Sequence, residues 1–405
     1  MFSFSVGNLP YLYHQGLPHP CTMGRFAIVD DDRIRAGECT DIYFERAVAV
    51  LEKSGHSPDV AMEVTASDLP GGWGIVCGTE DVVSLCEGLP LSLDAMPEGS
   101  LFFPREPVLR VRGKWPDIAR YETAILGFLC HASGIATAAA RVRALAGDRQ
   151  VFSFGSRRQH PAIATMVERS AWIGGVDGVS NTCAPPGVPL AGTMPHAFVM
   201  CYPSPEEAFR AFDRHAPPEV PRIMLCDTYC DEKQESLIAA RCGARGVRLD
   251  TPRSRRGDMR AILEEVRWEL DAAGYSDVMV FLSGGITPGD VAQCRDIADA
   301  FGIGGAIANA PVLDFSMDIV EKDGTGCAKR GKRSGAKQVW ELPDMRHVVL
   351  PEGRKGPQGA DPLLVPMVRD GEVVFRQGME YARARVLRRI PAIKELVERE
   401  NRKER

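Results

Sequence analysis

The pattern of hydrophobic and polar positions divides the chain near residue 151. The first 115 residues are rich in turns and contain the alternating segment EPVLRVRG at residues 106–113. This alternation predicts an antiparallel sheet in an α+β domain. Apolar residues at helical spacing then predict one long helix between Pro116 and Ala146.

Short apolar runs recur roughly every 20 to 30 residues after this point: VFSF, AFVMCY, RIMLC, GVRL, VMVFL and GAIAN. Between several of them lie amphipathic helical patterns such as PEEAFRAFDRHA and PGDVAQCRDIADAFG. Strict alternation of strand and helix predicts parallel strands joined by right-handed crossovers. Six or seven such units favour a barrel, with an open doubly wound sheet as the alternative.

Strand-like segments return after about residue 335, and a charged helix from Met379 to Arg405 ends the chain. The predicted class is α/β. We expect an incomplete or irregular α/β barrel over residues 116–335. Residues 1–115 and 336–405 are expected to form one discontinuous α+β domain beside it.

Composition narrows the functional classes. Apolar residues make up 44% and charged residues 25% of the 405 residues, as in an ordinary soluble protein. A net charge of −5 argues against nucleic-acid binding. The N-terminus lacks a basic region followed by an apolar run, and no apolar run approaches the roughly 18 residues of a membrane span. The twelve cysteines form no CxxC pair. We therefore expect a cytoplasmic protein with free thiols and no membrane partner.

Glycines follow two consecutive predicted strands. Ser283, Gly284 and Gly285 come directly after VMVFL, and Gly304 and Gly305 lie in GIGGAIANA. Glycine at a strand end lets backbone N–H groups point at a phosphate, which in barrels is commonly held by the last two loops. A purely structural turn explains either loop equally well, but the pair together favours phosphate binding.

Arg248 and Asp250 lie two residues apart in the strand-like segment VRLD, so their side chains face the same side. One interpretation is an ion pair with a neighbouring strand. In the other, Arg248 contacts a carboxylate or phosphate, and Asp250 holds ribose hydroxyls or a magnesium-bound water.

Residues 154–199 concentrate an aromatic, two arginines, an aspartate and a histidine beside glycine or proline. The candidates are Phe154 and Arg157 in FGSRRQHP, Asp177 in GGVDGV, and His196 in GTMPH at the start of the predicted strand HAFVMCY. Taken singly, each also has a structural interpretation: a core phenylalanine, a surface arginine, a hydrogen-bonding histidine. Arg158 and His160 are equally compatible with the start of a helix.

Together these motifs resemble those of nicotinate phosphoribosyltransferases, the archaeal-type branch of the type II phosphoribosyltransferases. The resemblance covers roughly residues 37–340. It implies transfer of a 5-phosphoribosyl group from phosphoribosyl pyrophosphate (PRPP) to nicotinate in NAD salvage, coupled to ATP hydrolysis. The products would be nicotinate mononucleotide and pyrophosphate. Nicotinamide- or quinolinate-using relatives and a catalytically idle nucleotide sensor remain alternatives.

For individual residues, the resemblance implies that Phe154 forms one face of an aromatic sandwich around the pyridine ring. Arg157 would contact the phosphate or the ring substituent, and Asp177 would lie near the pyridine. His196 would be phosphorylated by ATP. Arg248 and the two glycine loops would bind the phosphoribosyl substrate, and Asp250 would act beside them.

The resemblance also implies a homodimer with shared active sites, or a higher oligomer. Asp41 and Tyr43, in GECTDIYFERAV, would reach into the partner's site, and Mg²⁺ would enter with PRPP or pyrophosphate. Lys329, Lys332 and Arg333 are candidate pyrophosphate contacts or a solvated charged run.

The chain departs from the family in two places. Related sequences more often carry Asp-Ser-Gly-Asp where this chain has DTPR, at residues 250–253. Some archaeal relatives have a cysteine-rich zinc knuckle near the C-terminus, whereas Cys327 is the only cysteine after Cys294 here. No structural zinc is therefore expected.

Overall fold

The computed structural model describes residues 26–403 except positions 230, 253, 255 and 256. The N-terminal stretch that lacks a targeting pattern lies outside the described residues.

The strands, in chain order, are β1 Asp59–Ala66, β2 Gly74–Ile75, β3 Leu91–Ala95, β4 Leu101–Phe102, β5 Pro107–Lys114, β6 Gln150–Ser153, β7 Gly178–Val179, β8 Ile223–Leu225, β9 Gly246–Leu249, β10 Met279–Leu282, β11 Ala300–Ile303, β12 Phe315–Lys322, β13 Thr325–Gly326, β14 Lys337–Glu341, β15 His347–Pro351, β16 Asp361–Pro362, β17 Val365–Arg369 and β18 Glu372–Val373.

The α-helices, in chain order, are α1 Asp31–Arg35, α2 Ile42–Lys53, α3 Thr79–Cys86, α4 Trp115–Ala119, α5 Glu122–Ala146, α6 Ala164–Ile173, α7 His196–Met200, α8 Pro205–His215, α9 Glu232–Arg241, α10 Met259–Ala272, α11 Pro288–Cys294, α12 Gly305–Ala308 and α13 Met379–Lys403. Short 3₁₀ turns span Pro70–Gly72, Ser156–Arg158 and Pro161–Ile163.

Six parallel strands form one sheet in the order β7-β6-β11-β10-β9-β8. The two edge strands, β7 and β8, follow one another in the chain but do not pair, so the sheet is a half-barrel that stays open along one side. This arrangement confirms the predicted incomplete barrel. The segment between the two edge strands carries α7 and α8.

Strand pleating gives the half-barrel two different faces. Residues in register on neighbouring strands, such as Val247 and Val280, point outwards and are fully buried against the surrounding helices. Arg248 and Phe281 are also in register and point to the concave side. Polar groups occupy this side at the carboxyl ends of the strands.

Two of the predicted strands are helices. AFVMCY lies largely in α7, and GAIAN forms α12. Conversely, β11 (Ala300–Ile303), which pairs with β10, lies where the sequence pattern predicts the end of a helix. A short apolar run does not distinguish strand from helix by its periodicity. In α7 only Val199 is fully buried, and Met200 is exposed, so the segment packs one side against α8 rather than entering a sheet.

The flanking domain is built on a seven-stranded sheet in the order β13-β12-β1-β5-β3-β17-β18. Its paired strands are antiparallel, and β17 from the C-terminal segment pairs with β3 from the N-terminal segment. The predicted discontinuous domain is therefore confirmed. β12 belongs to this sheet although it lies within the segment 116–335, so the flanking domain draws on three parts of the chain.

Helix α5 joins the two units. It contributes Ile125 and Leu129 to the core of the flanking domain, and Ile135 and Ala139 to the core around the half-barrel. By length and composition α5 could cross a membrane, but more than half of its apolar window is buried inside the protein. Its apolar character is that of a central core helix.

Buried charges also stabilise the fold, between the two units and within the flanking domain. Glu98, which is fully buried, pairs with Arg169 of α6 at 2.6 Å. In the C-terminal segment, the buried His347 ring contacts Glu106 at 2.8 Å and Glu341 at 3.5 Å. Burial lowers the pKa of His347, but these two carboxylates outweigh it and raise the pKa to about 9. The protonated ring therefore links β15 to Glu106, directly before β5, and to Glu341 at the end of β14.

Candidate active site on the concave face of the half-barrel

Arg248, Asp250 and Ser283 form a connected polar group on the concave face. The Ser283 hydroxyl donates to Asp250 Oδ1 at 2.6 Å and accepts from Arg248 Nε at 3.1 Å. Arg248 Nη2 lies 3.6 Å from Asp250 Oδ1. On the neighbouring strand side, Arg248 and Asp250 therefore both bind the hydroxyl of Ser283. This hydroxyl fixes the two side chains at the carboxyl ends of β9 and β10.

Phe154 follows β6 and lies within an aromatic group inside the half-barrel. Its ring is nearly parallel to that of Phe281, with centroids 5.9 Å apart, and the Arg248 guanidinium carbon lies 5.4 Å from its centroid. The edge of the Phe154 ring lies against Gly302, and a Cβ atom at position 302 would come within 2.5 Å of that ring. A planar ligand that stacks on Phe154 therefore also meets a cation, which favours an anionic aromatic ligand.

The two glycine loops lie at the carboxyl ends of β10 and β11. Within the described part of the chain, no acceptor is found for the N–H groups of Gly285, Gly304 and Gly305. Gly284 has φ +86°, and a Cβ there would come within 2.4 Å of the Asp250 carbonyl oxygen. The Ser283 N–H donates to Leu249 instead, so Ser283 contributes its hydroxyl rather than its amide to this edge.

His196 is the first residue of α7, in the segment that connects the two edge strands β7 and β8. Its Nδ1 is 3.2 Å from the Thr228 hydroxyl, and its Nε2 is 3.5 Å from Asp250 Oδ2 and 3.9 Å from Asp227 Oδ1. The ring is 39% exposed, so a large ligand can reach it. The structure therefore brings together His196, Asp250 and the Arg248 group.

Asp227 belongs to this group but was missed in the sequence. Its side chain is 5% exposed, and burial raises its pKa to about 6, with His196 opposing the shift and Asp250 adding to it. The sequence does carry a signal for Asp227: in RIMLCD a short apolar run is followed directly by an acid, as it is in GVRLD, which ends at Asp250.

The loop that carries Asp227 is held by a second missed residue. Glu235, fully buried in α9, accepts hydrogen bonds from the N–H groups of Thr228 at 2.8 Å and Tyr229 at 2.7 Å. These bonds place the Thr228 hydroxyl against His196. The sequence carries no comparable signal for Glu235, because an acid on an amphipathic helix usually faces solvent.

Arg157 lies three residues after Phe154, in the 3₁₀ turn Ser156–Arg158. It is exposed, as is Arg158, and neither guanidinium has an ion-pair partner among the described residues. His160 accepts a hydrogen bond from the N–H of Ala162 at 3.2 Å, so it caps the next turn. The structural interpretation of His160 is therefore correct.

Asp177 does not join the others. It precedes β7, and its carboxylate accepts from the N–H of Val151 at 2.8 Å and pairs with Arg143 of α5 at 2.8 Å. Arg143 also donates to the carbonyl of Arg149, on the loop that enters β6. These contacts lie towards the amino ends of the strands, away from the Arg248 group. The expectation that Asp177 acts beside the pyridine does not agree with this position.

Asp41 and Tyr43 lie on the flanking domain. Asp41 accepts a hydrogen bond from the Thr123 hydroxyl at 2.9 Å, and the Tyr43 hydroxyl donates to Asp41 at 3.2 Å. Tyr43 is 59% exposed, as are its apolar neighbours Ile42 (60%) and Val50 (65%). Among the described residues, the side-chain hydrogen bonds of Asp41 and Tyr43 stay on this domain, and the exposed residues present an apolar surface outwards.

The basic run after β13 also lies on the flanking domain. A cleft of about 160 Å³ is lined by residues including Arg105, Asp318, Lys332 and Arg333. Lys332 Nζ pairs with Asp318 at 3.0 Å, and Lys329 pairs with the same carboxylate. These lysines are therefore ordered by a buried acid rather than being a purely solvated charged run.

Known proteins resemble this chain along most of its length. Residues 41–133 match the N-terminal domain, and residues 135–318 the C-terminal domain, of the Quinolinate phosphoribosyl transferase family. Nicotinate phosphoribosyltransferase pncB1 of Mycobacterium tuberculosis is 30% identical, covering 89% of this chain and 93% of that protein. The pncB2 enzyme of the same organism is 34% identical over 68% of this chain, but the match spans only 63% of its length.

Solved structures give the same result. The nicotinate-nucleotide pyrophosphorylase of Pyrococcus furiosus has a TM-score of 0.89 and 44% identity, covering 92% of this chain and 99% of that one. The human nicotinic acid phosphoribosyltransferase, at 20% identity and a TM-score of 0.73, covers 88% of this chain and 95% of its own, and shares the fold. The chain therefore belongs to the nicotinate phosphoribosyltransferase family, among the type II phosphoribosyltransferases.

Proposed function

We propose that the protein joins nicotinate to PRPP, giving nicotinate mononucleotide and pyrophosphate for NAD salvage. The observation that carries the proposal is the concave face, where an aromatic ring, a cation, two carboxylates and two glycine loops meet. The relatives named nicotinate phosphoribosyltransferase support the same reaction. Every described cysteine is a free thiol, in accord with a cytoplasmic enzyme.

The reaction forms a bond between the pyridine nitrogen and C1 of the ribose, while the bond from C1 to the pyrophosphate oxygen breaks and its electron pair leaves with pyrophosphate. The pyridine nitrogen is already a nucleophile, so no strong base is required. The protein must align the two substrates and stabilise positive charge on the ribose. Asp250 and Asp227 supply negative charge at the carboxyl ends of adjacent strands, and Phe154 orients the ring.

The phosphates of PRPP require donors on the opposite side. The N–H groups of Gly285, Gly304 and Gly305 and the Arg248 guanidinium provide them at neighbouring strand ends. No group of three or more histidine, cysteine or acidic side chains forms a metal cage among the described residues. Oxygen donors such as Asp250 suit Mg²⁺, which would neutralise the leaving pyrophosphate and which we expect to enter with PRPP.

Nicotinate fits the pocket better than its two rivals. Its carboxylate needs charge-assisted donors when it leaves water, and Arg157, Arg158 and Arg248 supply them. Nicotinamide carries an uncharged amide and would leave these guanidinium groups without a carboxylate partner. Quinolinate carries a second carboxylate and calls for a denser basic pocket.

We expect nicotinate to exceed nicotinamide in kcat/KM by at least about a hundredfold, because a mismatched buried hydrogen-bonding group costs that much discrimination. The measurement is steady-state turnover with PRPP and each of nicotinate, nicotinamide and quinolinate. Arg157→Ala should lower kcat/KM for nicotinate more than for nicotinamide. Arg214→Ala, an exposed arginine at the end of α8, is the control and should change neither.

Comparable efficiencies for nicotinate and nicotinamide would contradict the substrate assignment while leaving the family intact. Absence of turnover with all three pyridines, in a protein that still binds them, would instead favour the nucleotide-sensing alternative.

We further propose that ATP hydrolysis drives the transfer through phosphorylation of His196. A neutral imidazole is a competent phosphoryl acceptor near neutral pH. Thr228 fixes one ring nitrogen and the carboxylates of Asp227 and Asp250 face the other, so the ring is oriented and still 39% exposed. These contacts support the assignment.

His196→Ala should abolish nicotinate-dependent ATP hydrolysis and leave some phosphoribosyl transfer. In the unmodified enzyme, ATP hydrolysis should fall as the pH drops below about 6, because the Asp227 carboxylate facing the ring is then protonated. Asparagine carries no charge at any pH, so Asp227→Asn should hydrolyse ATP at the reduced rate both above and below about pH 6. ATP hydrolysis is measured by phosphate release. Full coupling in His196→Ala would rule out this residue as the phosphoacceptor.

We also propose a homodimer in which Asp41 and Tyr43 complete the partner's active site. The exposed Tyr43 ring, with the exposed Ile42 and Val50 on the same helix, forms an apolar surface on the flanking domain. The paired lysines Lys329 and Lys332 lie on the same domain and would reach the partner's pyrophosphate. Such reciprocal use of one surface is what twofold symmetry provides.

Mixing Tyr43→Ala with Arg248→Ala tests the shared site. Each variant alone should be inactive, but half of randomly exchanged dimers pair the two chains, and each of these has one intact site. Activity should therefore recover to about a quarter of the wild-type value. Subunit exchange is verified by mass spectrometry of the intact dimers. If the subunits exchange but activity does not recover, Tyr43 and Arg248 act in the active site of the same chain, and the shared site is ruled out.

A further inference from the structure

The turn that carries Phe154 and Arg157 packs directly on the second glycine loop. The N–H of Phe154 donates to the carbonyl of Ile303 at 2.8 Å. A Cβ atom at Gly155 would lie 2.4 Å from the carbonyl oxygen of Gly304, so only glycine allows this approach. The proposed pyridine-binding turn and the proposed phosphate-binding loop thus touch through their backbones.

Gln159 makes the contact at the other end of α12. Its Nε2 donates to the carbonyl of Ala308 at 2.8 Å and to the side-chain oxygen of Asn309 at 2.9 Å. Ala308 is the last residue of the four-residue helix α12, which begins at Gly305. The turn Phe154–Gln159 therefore holds the short helix at both ends.

We propose that Gln159 is a positioning residue that couples binding of the pyridine to binding of the phosphoribosyl group. This inference rests on the proposed function, because it assigns one ligand to each loop. A ligand that orders the Phe154 turn also orders α12 through Gln159. The second ligand then meets a loop that is already fixed and loses less conformational entropy on binding.

The coupling must be reciprocal: each ligand tightens the other by the same factor. A purely structural role of Gln159 would change the stability of the protein without changing this factor. Direct contact between the two ligands would also produce coupling, but that coupling would survive removal of the Gln159 amide. The factor by which one ligand tightens the other, measured in Gln159 variants, therefore distinguishes coupling through Gln159 from a purely structural role and from direct contact between the ligands.

Calorimetric titration of nicotinate, with and without saturating ribose 5-phosphate, measures the factor directly. Ribose 5-phosphate carries the sugar and its phosphate but no leaving group, so no turnover occurs. In the wild-type protein we expect ribose 5-phosphate to tighten nicotinate binding by at least about fivefold. In Gln159→Ala the factor should fall to within about twofold of one, while each ligand alone still binds.

Gln159→Glu keeps the shape of the side chain and removes its two donors, so it should lose the coupling as well, even if Gln159→Ala folds poorly. Gln234→Ala is the matched control, since the Gln234 side-chain amide donates to Asp231 at the start of α9 and should leave the factor unchanged. A wild-type factor of one, or a wild-type factor retained in Gln159→Glu, overturns the inference. Failure of the wild-type protein to bind nicotinate at all would instead overturn the proposed function.

Discussion

The pleat of a short parallel strand is the constraint on which this site depends. Alternate side chains must point to opposite faces, and the helices bury only the outer one. The half-barrel stays open because β7 and β8 do not pair, so nothing forces the inner positions to be apolar. Arg248 and Phe281 occupy equivalent positions on that inner face, and Asp250 and Ser283 come directly after their strands.

The segment between the two edge strands carries a residue of the proposed active site. The chain leaves the sheet after β7 and returns at the opposite edge in β8, and the segment between them places His196 beside Asp227 and Asp250, which follow β8 and β9. The buried Asp227 and Glu235 support this arrangement, the first by facing the ring and the second by fixing the loop that carries Thr228.

The fold was largely predictable because each β-α unit repeats one local signal, an apolar run followed by an amphipathic helix. The errors arose where that signal is too short to have a period, as in AFVMCY, or where strand and helix share one apolar stretch, as in the segment around Ala300. The discontinuous flanking domain was also predictable, since strand-like alternation occurs at both ends of the chain.

Asp177 and Asp227 show why the site was less predictable than the fold. Both are acids beside a short apolar run, and sequence alone does not say at which end of the strand each lies. Asp177 precedes β7 and pairs with Arg143, whereas Asp227 follows β8 and faces His196. The partners of Gln159 and Glu235 depend on tertiary packing, and no local pattern indicates them.

A crystal structure with bound nicotinate mononucleotide would show directly which residues bind each part of the ligand. We expect the pyridine ring to lie against Phe154, the phosphate at the N–H groups of Gly285 or of Gly304 and Gly305, and the ribose beside Asp250. We also expect the Tyr43 ring nearest the pyridine to come from the other subunit. A nucleotide bound in the cleft around Lys332 without contact to Phe154, or outside the half-barrel altogether, would contradict the proposed site.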